Sequence, residues 1–562
     1  MNGLWHISAD TGGTFTDCYG RTPDGEERRC KLLSTGCLRM RVAGLREGGV
    51  EVAGLPPMAD GFFTGWKLRR VGAAEALAVT GSGAAWLACG GDWAVGVLVE
   101  LLTGEEAPVV GARLMTGTAL GRAFPPLRMR LATTRATNAL LEGKGSATLL
   151  VVTRGFADVL KIGDQRRRDL FALRHEPRPT FVKAVAEVSG RASADGKELC
   201  ALDEREVRQA ARGALARGIR HAAVAFLHAD LHPEMEQRAG RWLREEGFEH
   251  VSLSCEVAPF PKLLSRAQSA VANALLTGPV EAFVRGVTEP LGTAVQMMTS
   301  TGGLEPARSV RPKDLLISGP AGGAVGAAAC ARWMGFDKVL TLDMGGTSTD
   351  VARIETGRPG YRFLQRVAGM ELLAPSVAIE TVAAGGGSIC QWTTAGLKVG
   401  PESAGSDPGP ACYGKGGPLT VTDVNLLLGR FDPEKAPIPL DVEAARRRLR
   451  ELAEAVGGGV TEEELLKNLL GLAVEQMADA IRRISVAEGY DPAGYALLCF
   501  GGAGPQHACA VADRLGMVTV IVPKQAGILS AVGLDAAQAE RRVERAVGRA
   551  WEEVKPELEG WI

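Results

Sequence analysis

Apolar positions along the chain fall in short runs separated by glycine-rich punctuation, and two runs, residues 4–9 and 339–342, carry the most information. Each precedes almost the same octet, Asp10-Thr11-Gly12-Gly13-Thr14-Phe15-Thr16-Asp17 and Asp343-Met344-Gly345-Gly346-Thr347-Ser348-Thr349-Asp350, and each octet leads into another apolar stretch. The pattern predicts strand, tight Gly-Gly hairpin, strand, used twice. Amphipathic helices are expected over 203–217 and 233–246, flanking an apolar strand at 221–227, and such alternation implies parallel-sheet units. Apolar residues at Leu466, Leu469, Leu470, Ala473, Met477, Ile481 and Ile484 predict one long amphipathic helix over 462–488. It feeds a strand at 496–500, then Gly501-Gly502-Ala503-Gly504-Pro505 and a helical run at 507–515. Residues 38–125 have weak periodicity and look like an insertion. Gly457-Gly458-Gly459 is a flexible link, and the charged stretch from Arg541 reads as a peripheral helix or tail. The resulting division is an N-terminal domain over 1–250, a second domain over 251–540 and a tail over 541–562.

Glycine pairs at a hairpin tip allow positive φ and leave no Cβ, so backbone N–H groups can approach an anion closely. The Thr hydroxyls add donors, and the aspartate at each hairpin entry suits a hydrated divalent cation beside phosphates. Two such hairpins can grip one polyphosphate from both sides, which points to ATP in a cleft between two similar domains. Gly12, Gly13, Thr14, Gly345, Gly346 and Thr347 are the expected phosphate cradle, with Asp10 and Asp343 as holders of Mg²⁺. Gly501 and Gly502 are expected to border the adenosine, where the following helix turns its N-terminus toward any anion. Asp17 or Asp350 is the candidate catalytic group that orients a water or substrate. The bland alternative is two unrelated β-turns plus a tight strand–helix contact at 501–505; the matched pair favours the nucleotide.

At 562 residues the chain needs several domains, and 46% hydrophobic content fits a folded protein. A net charge of −1 gives no reason to expect a nucleic-acid partner. The run Arg166-Arg167-Arg168 reads as a solvated helix end. Eleven scattered cysteines without a Cys-x-x-Cys pair suggest reduced thiols in a cytoplasmic protein. The most apolar window, 84–102, is interrupted by Gly90, Gly91, Asp92 and Glu100, so buried core is expected rather than a membrane span. Asp10 also stands where a signal peptide needs its apolar core. His228, Asp230 and His232 alternate as strand-borne metal ligands would, but a helix-capping role is favoured. Cys412 is the one thiol suspected of substrate contact, with packing the favoured alternative. No Ser/His/Asp or Cys/His nucleophile set is evident.

The order of hairpin, glycine-rich helix at 318–329, second hairpin and Gly-Gly-Ala-Gly resembles the actin/sugar-kinase/heat-shock-protein ATPase plan. Finer matches resemble the hydantoinase/oxoprolinase family, in particular its ATP-dependent hydantoinase A-type subunits. They are the two octets, Ala132-Thr-Thr-Arg-Ala-Thr-Asn-Ala-Leu-Leu141, Arg154-Gly-Phe-Ala-Asp-Val-Leu160, Ser318-Gly-Pro-Ala-Gly-Gly323, Ala384-Gly-Gly-Gly-Ser-Ile389, the segment Gly400 to Gly414, and Phe500-Gly-Gly-Ala-Gly-Pro505. The resemblance implies an α/β fold of two actin-like (RNase-H-like) ATPase domains around a nucleotide cleft, with an inserted subdomain. It implies ATP-dependent opening of a cyclic amide, 5-oxoproline or hydantoin, by phosphorylation of the carbonyl oxygen. ATP and Mg²⁺ are the implied cofactors, a hydantoinase B-type subunit the implied partner, and an oligomer the implied state. The alternative within the resemblance is the ATP-binding, energising subunit of an acetone carboxylase-type enzyme. From a different class, a nucleotide-gated scaffold also remains open.

Four departures from the family pattern are expected to matter. Glu380 stands in a segment where many relatives carry His, and Cys255 stands where relatives often carry His. Residues 38–125 exceed the corresponding region of the simpler subunits. The sequence also ends soon after Gly533, where relatives usually continue with another domain, which reinforces the expectation of a partner.

Overall fold

The computed structural model describes residues 3–561 apart from 167–169, 175–179, 406, 437, 543, 545–546 and 548, so Arg167 and Arg168 of the basic run lie outside the described residues. The chain is mixed α/β. Its first six-stranded sheet has the order Leu304–Pro306, Val295–Met298, Leu127–Thr133, β1 (Trp5–Thr11), β2 (Phe15–Arg21) and β3 (Glu27–Leu33). The second is built on Lys338–Met344 and Thr349–Glu355, with Ala496–Phe500 and Val520–Ile521 on one side and Arg358–Pro359 and Ile379–Val382 on the other. Strands of the first sheet come from both sides of residue 250. One face of its innermost strands is fully covered, at Ile7 and Ala9 on β1 and at Met129 and Leu131 on the neighbouring strand.

Both octets fold as the expected hairpins. β1 and β2 pair antiparallel with Asp10 opposite Asp17, and Lys338–Met344 pairs with Thr349–Glu355 with Asp343 opposite Asp350. Between the two sheets runs the helix Ser318–Met334, one turn longer than the expected 318–329. Its glycines permit backbone-to-backbone packing against the helix Leu529–Ala536. A Cβ on Gly533 would lie 2.0 Å from the Gly322 carbonyl oxygen, and one on Gly326 would lie 2.6 Å from that of Leu529. Ser318 Oγ ties the helix to the first sheet, accepting from the Thr133 N–H and donating to the Thr133 carbonyl.

A third, wholly parallel sheet has the order Ala184–Val188, Thr148–Thr153, His221–Ala225 and His250–Leu253, flanked by helices Glu204–Leu215 and Glu234–Glu245. The long helix Glu462–Ile484 starts at a capping box: Thr461 Oγ1 accepts from the Glu464 N–H while the Glu464 carboxylate accepts from the Thr461 N–H. Its buried face carries all seven apolar residues named from the sequence. The helix stops at Ile484 rather than 488, because a 3₁₀ turn at Val486–Glu488 ends on Gly489 at φ +86°.

Within the stretch read as an insertion, residues 38–102 form a closed six-stranded barrel plugged by Phe62, Phe63 and Trp66. The following helix, Ala107–Thr116, instead packs on the first sheet, where a Cβ on Gly111 would meet Cys18 Sγ at 2.5 Å. The 84–102 window supplies barrel strands, and among the described residues no helix is long and apolar enough to cross a membrane. All eleven cysteines are free.

Candidate functional site

The C-terminal ends of β1 and Lys338–Met344 face one another across a cavity of about 550 Å³, a size suited to a small-molecule ligand. All twelve residues singled out from the sequence line it: Asp10, Gly12, Gly13, Thr14 and Asp17 from the first hairpin; Asp343, Gly345, Gly346, Thr347 and Asp350 from the second; and Gly501 and Gly502. The tips are close, since a Cβ on Gly346 would lie 3.8 Å from Thr14 Oγ1. Each hairpin closes with one bond, Gly12 N–H to the Phe15 carbonyl and Gly345 N–H to the Ser348 carbonyl. The N–H groups of Gly13, Thr14, Gly346 and Thr347 are then left without a partner among the described residues. Four free amides around one cavity make an anion cradle.

Different neighbours brace the two tips. Ser34 holds the first, donating its N–H to the Thr14 carbonyl and its hydroxyl to the Gly12 carbonyl. A glycine loop holds the second: Gly386 N–H donates to the Gly345 carbonyl and Gly387 N–H to the Gly346 carbonyl. A Cβ on Gly385 would come within 2.6 Å of the Thr347 backbone, so this contact requires glycine. Gly501, at φ +80°, packs as tightly against Asp343, where a Cβ would sit 2.5 Å from Oδ1.

The connecting helix meets both entry aspartates. Gly319 lies beside Asp10 and Gly323 beside Asp343, with room for a Cβ only at 3.2 Å and 3.1 Å from the carboxylate oxygens. The approach of Asp10 to the first turn of this helix is electrostatically favourable. Even so, burial and the facing Asp17 push the Asp10 carboxyl up to about 7. Burial, then Asp350, Asp10 and Asp17, raise Asp343 well above the carboxylate range. Burial raises Asp17 against the opposing pull of Lys31, and it raises Asp350 to about 6 against a hydrogen bond from Thr381 Oγ1.

Four carboxylates in one cleft call for a cation. Asp10 Oδ1 is buried with no hydrogen-bond partner among the described residues. An unpartnered hard oxygen beside an anion cradle fits hydrated Mg²⁺, which needs one or two carboxylates plus water and phosphate oxygens. Among the described residues, no three His, Cys, Asp or Glu side chains converge into a ready cage, so any ion here draws on such outside oxygens. The trio His228, Asp230 and His232 disperses: Asp230 pairs with buried Arg266 at 3.3 Å, while His232 Nε2 lies 3.2 Å from the Ala194 carbonyl.

Sequence reasoning missed part of this site. Lys31 on β3 lines the cavity and pairs with Asp17 at 2.7 Å. Ser530 stands near Asp10 and favours its ionised form. Tyr413, Phe431, Ile438 and Leu440 form an apolar end to the cavity near Gln506. Lys31 carried a usable signal, since it follows the first hairpin by one strand; the apolar end lies in irregular chain with no motif. Cys412 is fully buried, donates its N–H to Asp423 and is not among the lining residues, so it packs. Glu380 is also outside the lining and pairs with Arg362 and Arg483, each at 3.4 Å. Cys255 donates its N–H to buried Glu236, and burial pushes its thiol far up.

Two models of one family match, the hydantoinase/oxoprolinase N-terminal region over residues 88–247 and hydantoinase/oxoprolinase over residues 266–543, together most of the chain. The chain belongs to the hydantoinase/oxoprolinase family. A relative in this family is the 5-oxoprolinase of Saccharomyces cerevisiae, 37% identical over a 482-residue alignment that covers 76% of this chain and 38% of the relative. The hydantoinase/oxoprolinase chain described here therefore spans less than two fifths of that protein's length. The structure of an ATP-dependent caprolactamase from Pseudomonas jessenii superposes with a TM-score of 0.66 at 28% identity, covering 94% of this chain and 70% of that one. Nucleotide-free acetone carboxylase superposes with a TM-score of 0.71 at 22% identity, covering 95% and 70%, a likeness of fold.

Proposed function

We propose that this chain is the ATP-binding part of an ATP-dependent cyclic-amide hydrolase acting on a 5-oxoproline, hydantoin or lactam ring. The observation that carries the reading is the pair of hairpins whose free amides and in-register aspartates line one cavity. The two main sheets are read as actin-like, RNase-H-like lobes that close on ATP. Gly12, Gly13, Thr14, Gly345, Gly346 and Thr347 bind the phosphates. Gly501 and Gly502 border the adenosine, with the base toward Phe431, Ile438 and Leu440. Asp10 and Asp343 hold Mg²⁺, which when bound neutralises phosphate charge and aligns the γ-phosphoryl group.

An amide resists water because resonance stabilises its C–N bond. Transfer of the γ-phosphoryl to the carbonyl oxygen gives an imidate-like phosphate that water opens. The cleft's work is therefore positioning and charge stabilisation. Asp17 and Asp350, set one strand in from the entry aspartates, are placed to orient the water or the substrate nitrogen. The reading includes a hydantoinase B-type partner that shields the phosphorylated intermediate from wasteful hydrolysis, and a reducing, cytoplasmic setting for the free thiols.

The test is ADP release with 5-oxoproline, hydantoin, caprolactam, or acetone plus bicarbonate, measured with and without the hydantoinase B-type partner. Turnover that depends on a cyclic amide and on the partner is expected. Stimulation by acetone plus bicarbonate alone would overturn the amide reading in favour of a carboxylase subunit. Nucleotide binding without any turnover in the complete assembly would favour a nucleotide-gated scaffold.

A further inference from the structure

Strand register puts Asp10, Asp17 and Lys31 in one rung across β1, β2 and β3, and all three line the cavity. Lys31 Nζ lies 2.7 Å from Asp17 Oδ1 and 5.1 Å from the centre of the Phe15 ring. Its side chain remains 31% exposed, so the pair is open to the cavity rather than sealed. The same rung of the second hairpin is Asp343, Asp350 and Thr381, with a hydroxyl in the place of the ammonium. The cavity's other lysine, Lys435, is 84% exposed, pairs with Asp432 and accompanies Phe431 and Ile438 at the apolar end. Lys31 is thus the lysine at the hairpin end of the cavity, and its charge acts on Asp10, Asp17 and Asp343, across both hairpins.

We propose that Lys31 is a catalytic residue of phosphoryl transfer: Asp17 holds it in the nucleotide-free chain, and it passes to an oxygen of the phosphoryl group in flight. The proposal rests on the nucleotide reading above. In the step, the bond from γ-phosphorus to the substrate's carbonyl oxygen forms as its bond to the β–γ bridging oxygen breaks, and that electron pair leaves with ADP. Lys31 keeps its three protons and supplies charge alone. A compact ammonium on a flexible four-carbon stem suits such a move. Its departure removes the counter-charge from Asp17, which then orients the water that opens the phosphorylated amide.

The decisive comparison uses the full chain and its Lys31→Met and Lys31→Arg variants. Calorimetry measures affinity for ADP·Mg²⁺ alone and with aluminium fluoride, a mimic of the phosphoryl group in flight; kcat and KM for ATP are measured with substrate and partner. Lys31→Met is expected to hold ADP·Mg²⁺ within about twofold of wild type yet lose about 100-fold of the fluoride-dependent gain and about 100-fold in kcat, with KM for ATP little changed. Lys31→Arg should recover part of both. An undiminished fluoride gain in Lys31→Met overturns the proposal. So does an equal loss of ADP and ADP–fluoride affinity, the pattern of a merely structural lysine. A wild-type chain that binds ADP·Mg²⁺ without gaining from fluoride rejects Lys31's role alone, whereas one that binds no adenine nucleotide rejects the nucleotide reading with it.

Discussion

The two hairpins share an octet but are held and charged differently. Beyond one backbone bond from the Ser34 N–H, side chains support the first: the Ser34 hydroxyl beneath its tip and the Lys31 ammonium beside Asp17. Backbone supports the second: the Gly385–Gly387 loop presses against its tip, and Gly501 presses against Asp343. Side-chain support can be trimmed and partly replaced by water. Backbone support at van der Waals limits admits no added atom. Sequence repetition therefore conceals a mechanical asymmetry, with the second hairpin rigidly seated and the first more adjustable.

The largest effect should come from filling the second seat. Gly385→Ala places a Cβ within 2.6 Å of the Thr347 backbone and 2.7 Å of the Gly346 backbone, neither of which can swing away. A loss of about 3 kcal/mol is expected in denaturant unfolding, with an unchanged slope. On the first hairpin, Ser34→Ala removes one hydroxyl and should cost about 1 kcal/mol. Gly13→Ala meets nothing nearer than Asn138 Nδ2 at 3.9 Å, so its stability should stay within about 0.5 kcal/mol while ATP affinity falls. Equal losses for Gly385→Ala and Ser34→Ala would erase the asymmetry.

Next come the entry aspartates. Asp10→Asn and Asp343→Asn should each weaken Mg²⁺-dependent ATP binding by about 30-fold, since a hard cation favours carboxylate over amide oxygen. Both should melt no lower than wild type at pH 8 without metal, because the amide removes a carboxylate that burial and its neighbours disfavour. The gain should be larger for Asp343→Asn, whose carboxyl is raised by three other aspartates as well as by burial. Unchanged ATP·Mg²⁺ affinity in both variants would refute the metal role.

How much of this was legible depends on where each signal resides. Hairpins are local: glycine pairs, flanking apolar runs and repetition are all visible within eight residues, so every lining residue proposed from sequence reaches the cavity. Lys31 matters only through register, because its pairing with Asp17 is fixed by the turn at 22–26 and the β2–β3 ladder. The apolar end gathers Tyr413, Phe431, Ile438 and Leu440 from loops whose spacing follows no period. The barrel was hidden for another reason. Its strands are four to nine residues long and bulged at Val42/Gly44 and Val79/Gly81, which breaks the alternation that betrays longer strands. Glu380 stood out only through the family resemblance, as a departure from a His; in space its carboxylate serves Arg362 and Arg483.

The pH dependence follows from carboxyls raised in the folded chain, Asp10 to about 7 and Asp350 to about 6 from 3.8. A folded value above the unfolded one means that the folded state binds more protons. The metal-free chain is therefore favoured most below about pH 4 and loses that contribution as pH rises through 6 and 7. Binding of Mg²⁺·ATP runs the other way, since the cation takes the deprotonated forms. The melting gain from Mg²⁺·ATP should be small at pH 5.5 and complete by pH 8. A gain that stays flat over that range would show that Asp10 does not hold the ion.

The smallest effect tests the comparison most finely. The burial that raises Asp17 is opposed by the Lys31 charge, and the burial that raises Asp350 by the Thr381 hydroxyl, 2.5 Å from its Oδ1. Thr381→Val keeps the branched shape that Ile379–Val382 needs as a strand and removes only the donor. Without that bond, burial alone acts on Asp350, and its carboxyl rises further above about 6. Where Asp350 must be ionised, the acid limb of the kcat profile should move up by about one pH unit, the scale of one hydrogen bond to a charged group. Activity should then fall severalfold near pH 6 and match wild type near pH 8.5. Lys31→Met, by contrast, should depress kcat at every pH, because an ammonium keeps its charge throughout that range. A pH-independent loss in Thr381→Val would mean that the hydroxyl positions the strand rather than tuning Asp350, and the two rungs would then differ in architecture alone.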